Sequence, residues 1–344
     1  MLPSIAFLMF IFLSKTLPNS WLLKNIHHAS IAEAKLNLWL SLFLFPKPKL
    51  LITLSHIGWV KKNQETFHIV DVPLAHPFFV HKILAREYAK LGLLSQYYQK
   101  SFSEKIALIE HQSILSADLI TVPSAFVRST LIENGIPPQK IRIIPYGCNL
   151  SERISYSRSF EDNKDDKSFR ILFVGGLSAR KGLHILLEAF DLLNIKNKHL
   201  TLIGPFTWDS LSIIKKYKTS SVNILGKIPH NDLIAYYRNS DCFVLPSLSE
   251  GLAMVLGEAL ANGLPIIATP FTGIEDLIKD SRCFIRIQPA STTSLVNAFE
   301  SLALDRMRIY KMKEYCIQES LRHNGWQKYK DAWVDMVNHE EIFQ

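Results

Sequence analysis

With 344 residues, 48% of them hydrophobic and 20% charged, the chain is too apolar for wholesale disorder and long enough for two domains. A formal charge of +8 and a pI near 9.2 call for an anionic partner, such as a phosphorylated substrate or an acidic membrane face. Nucleic acid is set aside, since there is no arginine-rich tract or zinc-finger spacing. The four cysteines, Cys148, Cys242, Cys283 and Cys316, form no CxxC pair, which argues against a disulfide framework and for a reducing cytoplasm.

The run Leu2–Leu13 is almost wholly apolar. It is too short to span a bilayer and no Lys or Arg precedes it, so a buried helix is expected. Trp21, Trp39, Lys47 and Lys49 lie nearby, which leaves peripheral contact with the inner face of the membrane open. Apolar spacing predicts helices over Ser30–Phe45 and Lys82–Gln99, with a strand at His68–Val70 between them. His56, His68, His76, His81 and Asp71 match no common metal-ligand spacing, so no metal is expected there. Arg86 and Glu87 read as a solvated helix face. Ser151–Ser168 is polar and charged, the texture of a linker.

From Phe169 the rhythm turns regular. Strand-like runs at Arg170–Val174, Leu200–Ile203, Val222–Leu225, Cys242–Leu245, Pro265–Ala268 and Cys283–Ile287 alternate with helical segments. Those helices include His184–Leu193, Asn231–Arg238 and Met254–Ala261. Such alternation predicts an α/β domain with a parallel sheet, which binds ligands in the loops after its strands. The expected division is a first domain over 1–150, a linker over 151–168, a second domain over 169–322 and a closing helix over 323–344.

Two of these loops carry chemistry. The first reads Gly175-Gly176-Leu177-Ser178-Ala179-Arg180-Lys181-Gly182 and leads into a helix. Its glycines allow close backbone approach, and the helix N-terminus offers N–H groups to an anion beside two cations. A plain strand-to-helix turn with solvated basic residues would read the same way. In the second loop, Glu250 stands at a loop–helix junction and Glu258 follows eight residues later. Eight residues are about two helical turns, which brings both side chains to roughly one face about 12 Å apart, a span for an extended polar ligand. Glu258 is flanked by Leu256, Ala259 and Leu260, so its carboxylate asks for hydroxyl partners such as those of ribose or a sugar.

Phe173–Gly182 and Ser249–Ala268, taken with their order and spacing, resemble the family-4 retaining glycosyltransferases. The resemblance runs from about residue 71 to the carboxyl terminus, and Glu250 and Glu258 match that family's E-x7-E motif. It implies the GT-B fold, in which two Rossmann-like domains face each other across a cleft. It also implies a nucleotide-sugar donor, a carbohydrate or lipid-linked acceptor, retention of anomeric configuration and no essential metal or other cofactor. Glu250 would hold donor-sugar hydroxyls, with the N–H groups of Gly251 and Leu252 facing sugar or phosphate. Glu258 would bind ribose, and Lys181 the diphosphate, which passes close to Gly175. Gly204 would line the nucleotide cleft, and the stretch from Gly226 to His230, including Ile228, would pack on the base. Thr272-Gly273 resembles a small loop near the donor, and His76 would be the first-domain histidine near the donor sugar, the alternative being an ordinary loop histidine. Gly325-Trp326, Tyr329 and Trp333 resemble a helix that crosses back to the first domain.

There are two departures. Gly176 stands where many members carry a diphosphate-binding arginine, a role that Arg180 is expected to take over. No Gly-Gly loop precedes Gly58, so the first domain is expected to be shortened. That second departure supports an alternative: a degenerate relative that binds nucleotide sugar yet serves as a structural or regulatory partner. A nicotinamide-dependent oxidoreductase is remote, because no GxGxxG follows any strand.

Overall fold

The computed structural model describes residues 50–55, 66–148, 168–217, 221–322 and 325–339. The expected helices over Leu2–Leu13 and Ser30–Phe45, together with His56, Gly58 and nearly all of the linker, lie outside the described residues.

Two parallel sheets carry the structure. The first holds β1 (Leu50–Leu54), β2 (Phe67–Asp71), β3 (Leu119–Val122) and β4 (Ile141–Ile143), side by side in that order. Between β2 and β3 run α1 (Pro77–Leu91), α2 (Leu94–Lys100) and α3 (Glu104–Leu115), and α4 (Ala125–Glu133) leads to β4. The single helix expected over Lys82–Gln99 is broken. Gly92 takes φ 72°, its N–H donates to the Ala89 carbonyl at 3.1 Å, and the Leu93 N–H donates to Tyr88 at 2.8 Å. A glycine in the left-handed region ends a helix in this way, and periodicity alone does not reveal it.

The second sheet begins with β5 (Phe169–Val174), α5 (Leu183–Leu192), β6 (Lys198–Ile203), α6 (Ser210–Lys216), β7 (Val222–Gly226) and α7 (His230–Arg238). It continues through β8 (Cys242–Leu245), α8 (Val255–Ala261), β9 (Ile266–Ala268), α9 (Ile274–Leu277) and β10 (Phe284–Arg286). Then come α10 (Thr292–Ala303), α11 (Arg306–Arg322) and α12 (Trp326–His339). Each strand of this sheet ends within two residues of its expected bounds. α5 is buried on most of its circumference, through Leu183, Ile185, Leu186, Leu187, Ala189 and Phe190, because the sheet lies on one side and α10 on the other.

The strands lie in the order β10-β9-β8-β5-β6-β7. The chain steps outward from β5 to β7, then returns to the other side of β5 to lay down β8, β9 and β10. That reversal opens a crevice beyond the carboxyl ends of β5 and β8, where doubly wound sheets bind their ligands. The last helix packs back on the segment after β4. The Tyr146 and Tyr329 rings lie 5.8 Å apart, and a Cβ on Gly147 would meet the Trp326 backbone at 2.5 Å. Trp326 and Trp333 flank Tyr329 at 5.5 and 6.3 Å. Among the described residues, no helix is long and apolar enough to cross a membrane, and all four cysteines are free and buried.

Candidate functional site

The loop after β5 is shaped by backbone approach. A Cβ on Gly204, at the end of β6, would sit 1.9 Å from the Gly175 carbonyl oxygen, so the two strand ends pass in direct contact. The Gly204 N–H in turn donates to Gly226 at 2.8 Å, which brings in the segment carrying the half-buried Ile228. Gly176 is not crowded: a Cβ there would meet only the Thr207 methyl at 3.9 Å, so space does not forbid a side chain. Gly182 takes φ +76°, and a Cβ on it would lie 2.1 Å from the Pro246 carbonyl oxygen, so the loops after β5 and β8 touch at this glycine.

Three of the N–H groups expected to be free where the chain enters α5 are already committed. Those of Lys181 and Leu183 donate to the Ser178 carbonyl at 3.2 and 3.1 Å, and that of Gly182 donates to Ala179 at 2.9 Å. The turn satisfies these three N–H groups itself, and the Arg180 and Lys181 side chains add positive charge beside it.

Both cations meet Glu250. Its Oε1 accepts from Lys181 Nζ at 2.6 Å and Ser247 Oγ at 2.8 Å, and an Arg180 guanidinium nitrogen lies at 3.3 Å. The same guanidinium donates to the Ser249 carbonyl at 2.8 Å. Among the described residues no hydrogen bond reaches Oε2. Burial pulls the Lys181 pKa below its ordinary value, against the opposing pull of Glu250. Glu258 Oε2 accepts from the buried Tyr237 hydroxyl at 2.9 Å. Burial, then Glu258, pushes that phenol far up, so it stays a donor.

Glu250 and Glu258 do not share a helix face, contrary to the two-turn expectation. The Glu250 N–H donates to the Phe271 carbonyl and the Ala253 N–H to Thr272, both at 3.0 Å. These bonds hold the 250–253 segment alongside the turn at 270–272, and α8 starts only at Val255. Helical spacing cannot foresee a segment captured by a neighbouring loop. Tyr237 carried no signal of its own beyond its place on a predicted helix.

The first domain meets this loop at Gly251. A Cβ there would lie 1.7 Å from the Pro73 carbonyl oxygen, and Ser124 Oγ donates to the Gly251 carbonyl at 2.7 Å. Leu252 is buried beside it. His76 does not join the Lys181–Glu250 cluster. It is fully buried at the N-terminus of α1, where Nδ1 accepts from the Phe78 N–H at 3.3 Å and Nε2 pairs with His111 at 2.9 Å. Burial, then His111, lowers its pKa to about 4, so the ring is neutral and positions the loop that carries Pro73. The solvated-face expectation for Arg86 and Glu87 holds for Arg86 only. Glu87 is 3% exposed and bonds His184 of the second domain at 3.1 Å. Among the described residues, no group of three or more His, Cys, Asp or Glu is arranged to hold a metal.

Asp71, at the carboxyl end of β2, is buried. Its Oδ1 accepts from Thr121 at 2.7 Å, while Oδ2 has no partner among the described residues. Burial raises its pKa from 3.8 to about 6, with Thr121 pulling the other way. A raised carboxyl pKa means that its contribution is intact below about 3.8 and lost as pH rises through 6. Asp71→Asn is therefore expected to stabilise the fold at pH 8 by on the order of 2 kcal/mol, and not at pH 4. Thermal unfolding at the two pH values checks this, and an unchanged or lower midpoint at pH 8 refutes it.

Residues 157–322 match the model of the family described as Glycosyl transferases group 1. The chain is 24% identical over 260 residues to the capsular polysaccharide biosynthesis glycosyltransferase CapM of Staphylococcus aureus, covering 72% of this chain and 64% of that one. Its fold is similar to sucrose-phosphate synthase from Thermosynechococcus elongatus, with a TM-score of 0.71 at 18% identity, covering 91% of this chain and 79% of that one. It is also similar to Anabaena HepE in complex with UDP and glucose, with a TM-score of 0.59 at 16% identity, covering 79% and 72%. Residues 157–322 are thus similar to the glycosyl transferases group 1 family, in a chain with the two-sheet GT-B fold.

Proposed function

We propose that the chain transfers a sugar from a nucleoside-diphosphate sugar to a carbohydrate or lipid-linked acceptor in polysaccharide assembly, with retention of anomeric configuration. The observation that carries this reading is the meeting of Lys181 and Arg180 on one oxygen of Glu250, at the switch point between β5 and β8. A cluster with two cations and one carboxylate keeps a net positive charge, which suits a diphosphate.

Transfer breaks the bond between the anomeric carbon and the phosphate oxygen and leaves added negative charge on the departing nucleoside diphosphate. The acceptor oxygen bonds to the same carbon on the same face, and its proton passes to the departing phosphate oxygen. Lys181 and Arg180 stabilise the charge that develops there, in a cleft where such interactions are strong. Glu250, with Oε2 open, accepts from donor-sugar hydroxyls, and Glu258, steadied by Tyr237, accepts from ribose. Gly175 lets the diphosphate approach the backbone, Gly204 lines the nucleotide cleft beside it, and Ile228 packs on the base. No resident cofactor is assigned. The working compartment is the cytoplasm, at the inner face of the membrane.

Thermal unfolding with UDP-, GDP- and ADP-sugars tests this reading. A donor at a hundred times its dissociation constant should add about 2.7 kcal/mol of stability, and Glu258→Ala should abolish the gain. If no nucleotide sugar shifts the wild-type midpoint, the reading falls.

A further inference from the structure

Asp209 precedes α6, where an aspartate ordinarily caps the helix, but its side chain makes no capping bond. The carboxylate is 1% exposed and turned the other way. Its Oδ2 accepts from the Ala179 N–H at 2.8 Å, inside the loop that carries Arg180 and Lys181. The same oxygen accepts from the Tyr88 hydroxyl at 2.8 Å, and Tyr88 belongs to α1 of the first domain. Oδ1 accepts from Thr207, whose hydroxyl also lies 2.9 Å from the Leu177 carbonyl.

The surroundings fix both partners. Tyr88 is stacked between Tyr97 and Trp208, with ring centroids at 4.8 and 5.1 Å, and Trp208 Nε1 donates to Ser101 at 2.8 Å. One residue earlier, Glu87 bonds His184 in the first turn of α5. The other end of α1 follows the loop whose Pro73 carbonyl touches Gly251. A 15-residue helix is about 22 Å long. Near its start Phe79 meets Phe271, with ring centroids 5.5 Å apart, and the Phe271 carbonyl holds the Glu250 N–H. One element of the first domain thus reaches both chemical loops.

We infer that Tyr88 and Asp209 are positioning residues, a latch that holds the Arg180–Lys181 loop in its transfer-ready shape only while the two domains are docked. This rests on the proposed sugar transfer for its catalytic consequence, but the latch itself is a matter of loop order. Neither residue is among those assigned to the donor. With Tyr88 released, Asp209 keeps its bond to Ala179 but loses its tie to the first domain, and the loop follows the second domain alone.

Amide hydrogen exchange on the full, unliganded chain tests this. The N–H groups of Ala179, Lys181, Gly182 and Leu183 are all hydrogen-bonded and report on the loop. Tyr88→Phe keeps the ring stack and removes one hydroxyl, so exchange over 177–183 should quicken about fivefold to tenfold, as loss of one buried hydrogen bond implies. Exchange in α10 and α11 should not change. Asp209→Asn should loosen the loop further. With the nucleotide sugar that stabilises wild type, Tyr88→Phe should lower kcat about tenfold and leave the affinity for the matching nucleoside diphosphate within about twofold. Unchanged loop exchange, faster exchange throughout the chain, or affinity falling in step with kcat would each overturn the latch. If wild type turns over no nucleotide sugar, the sugar-transfer reading fails by itself, and the exchange rates still decide the latch.

Discussion

Replacing Lys181 with alanine is expected to cut sugar transfer about 10²–10³-fold, on the order of 3 kcal/mol of barrier, which is what one fixed donor to a developing anion is worth in such a cleft. The lysine is mostly buried and its ammonium already sits 2.6 Å from Glu250, so little rearrangement is needed to bring it to a diphosphate. Most of the loss should fall on kcat, because the departing diphosphate carries more charge in the transition state than in the bound donor. Nucleotide affinity should weaken less, since Glu258 and Tyr237 are untouched. Arg180 and Ser247 remain on Glu250, so the variant should stay folded. Initial rates measured beside nucleotide titration check the split. A loss of turnover below tenfold would remove Lys181 from the mechanism and leave Arg180 as the main cation.

The parts of this site legible in the sequence were those set by local chemistry. A β-branched run followed by Gly-Gly and a basic pair marked the loop after β5, and a similar run ending in Pro-Ser-Leu-Ser-Glu-Gly marked the loop after β8. Both strands proved central, with β5 and β8 paired at the switch point. What stayed hidden was set by segments remote in sequence. Glu87 looked solvated because nothing near it in the chain shows that His184 will cover it. Glu250 looked helical because the bonds to Phe271 and Thr272 that hold its segment come from twenty residues away. Asp209 sits in an unremarked Thr-Trp-Asp-Ser stretch, and its partners, Ala179 and Tyr88, are 30 and 121 residues distant. His76 was noticed as a histidine, but its burial against His111 turns it into a cap.

Gly251 offers the sharpest test of whether the two domains meet during transfer as they do in this structure. Its need for glycine comes from approach, not from a left-handed torsion: a Cβ would lie 1.7 Å from the Pro73 carbonyl oxygen and 3.1 Å from the Pro123 ring. Backbone cannot swing aside as a side chain can, so Gly251→Ala must either part the domains or displace the Glu250 loop. Ordinary contact distance requires more than 1 Å of movement, and misplacement on that scale costs about 10²-fold in rate. Lys181, Glu258 and Tyr237 all belong to the second domain, so nucleoside-diphosphate binding should survive while transfer is lost. Loss of both would mean that the methyl had moved Glu250 and its cations. Wild-type turnover in Gly251→Ala would show that transfer does not use this contact, and that the domains work at a wider separation.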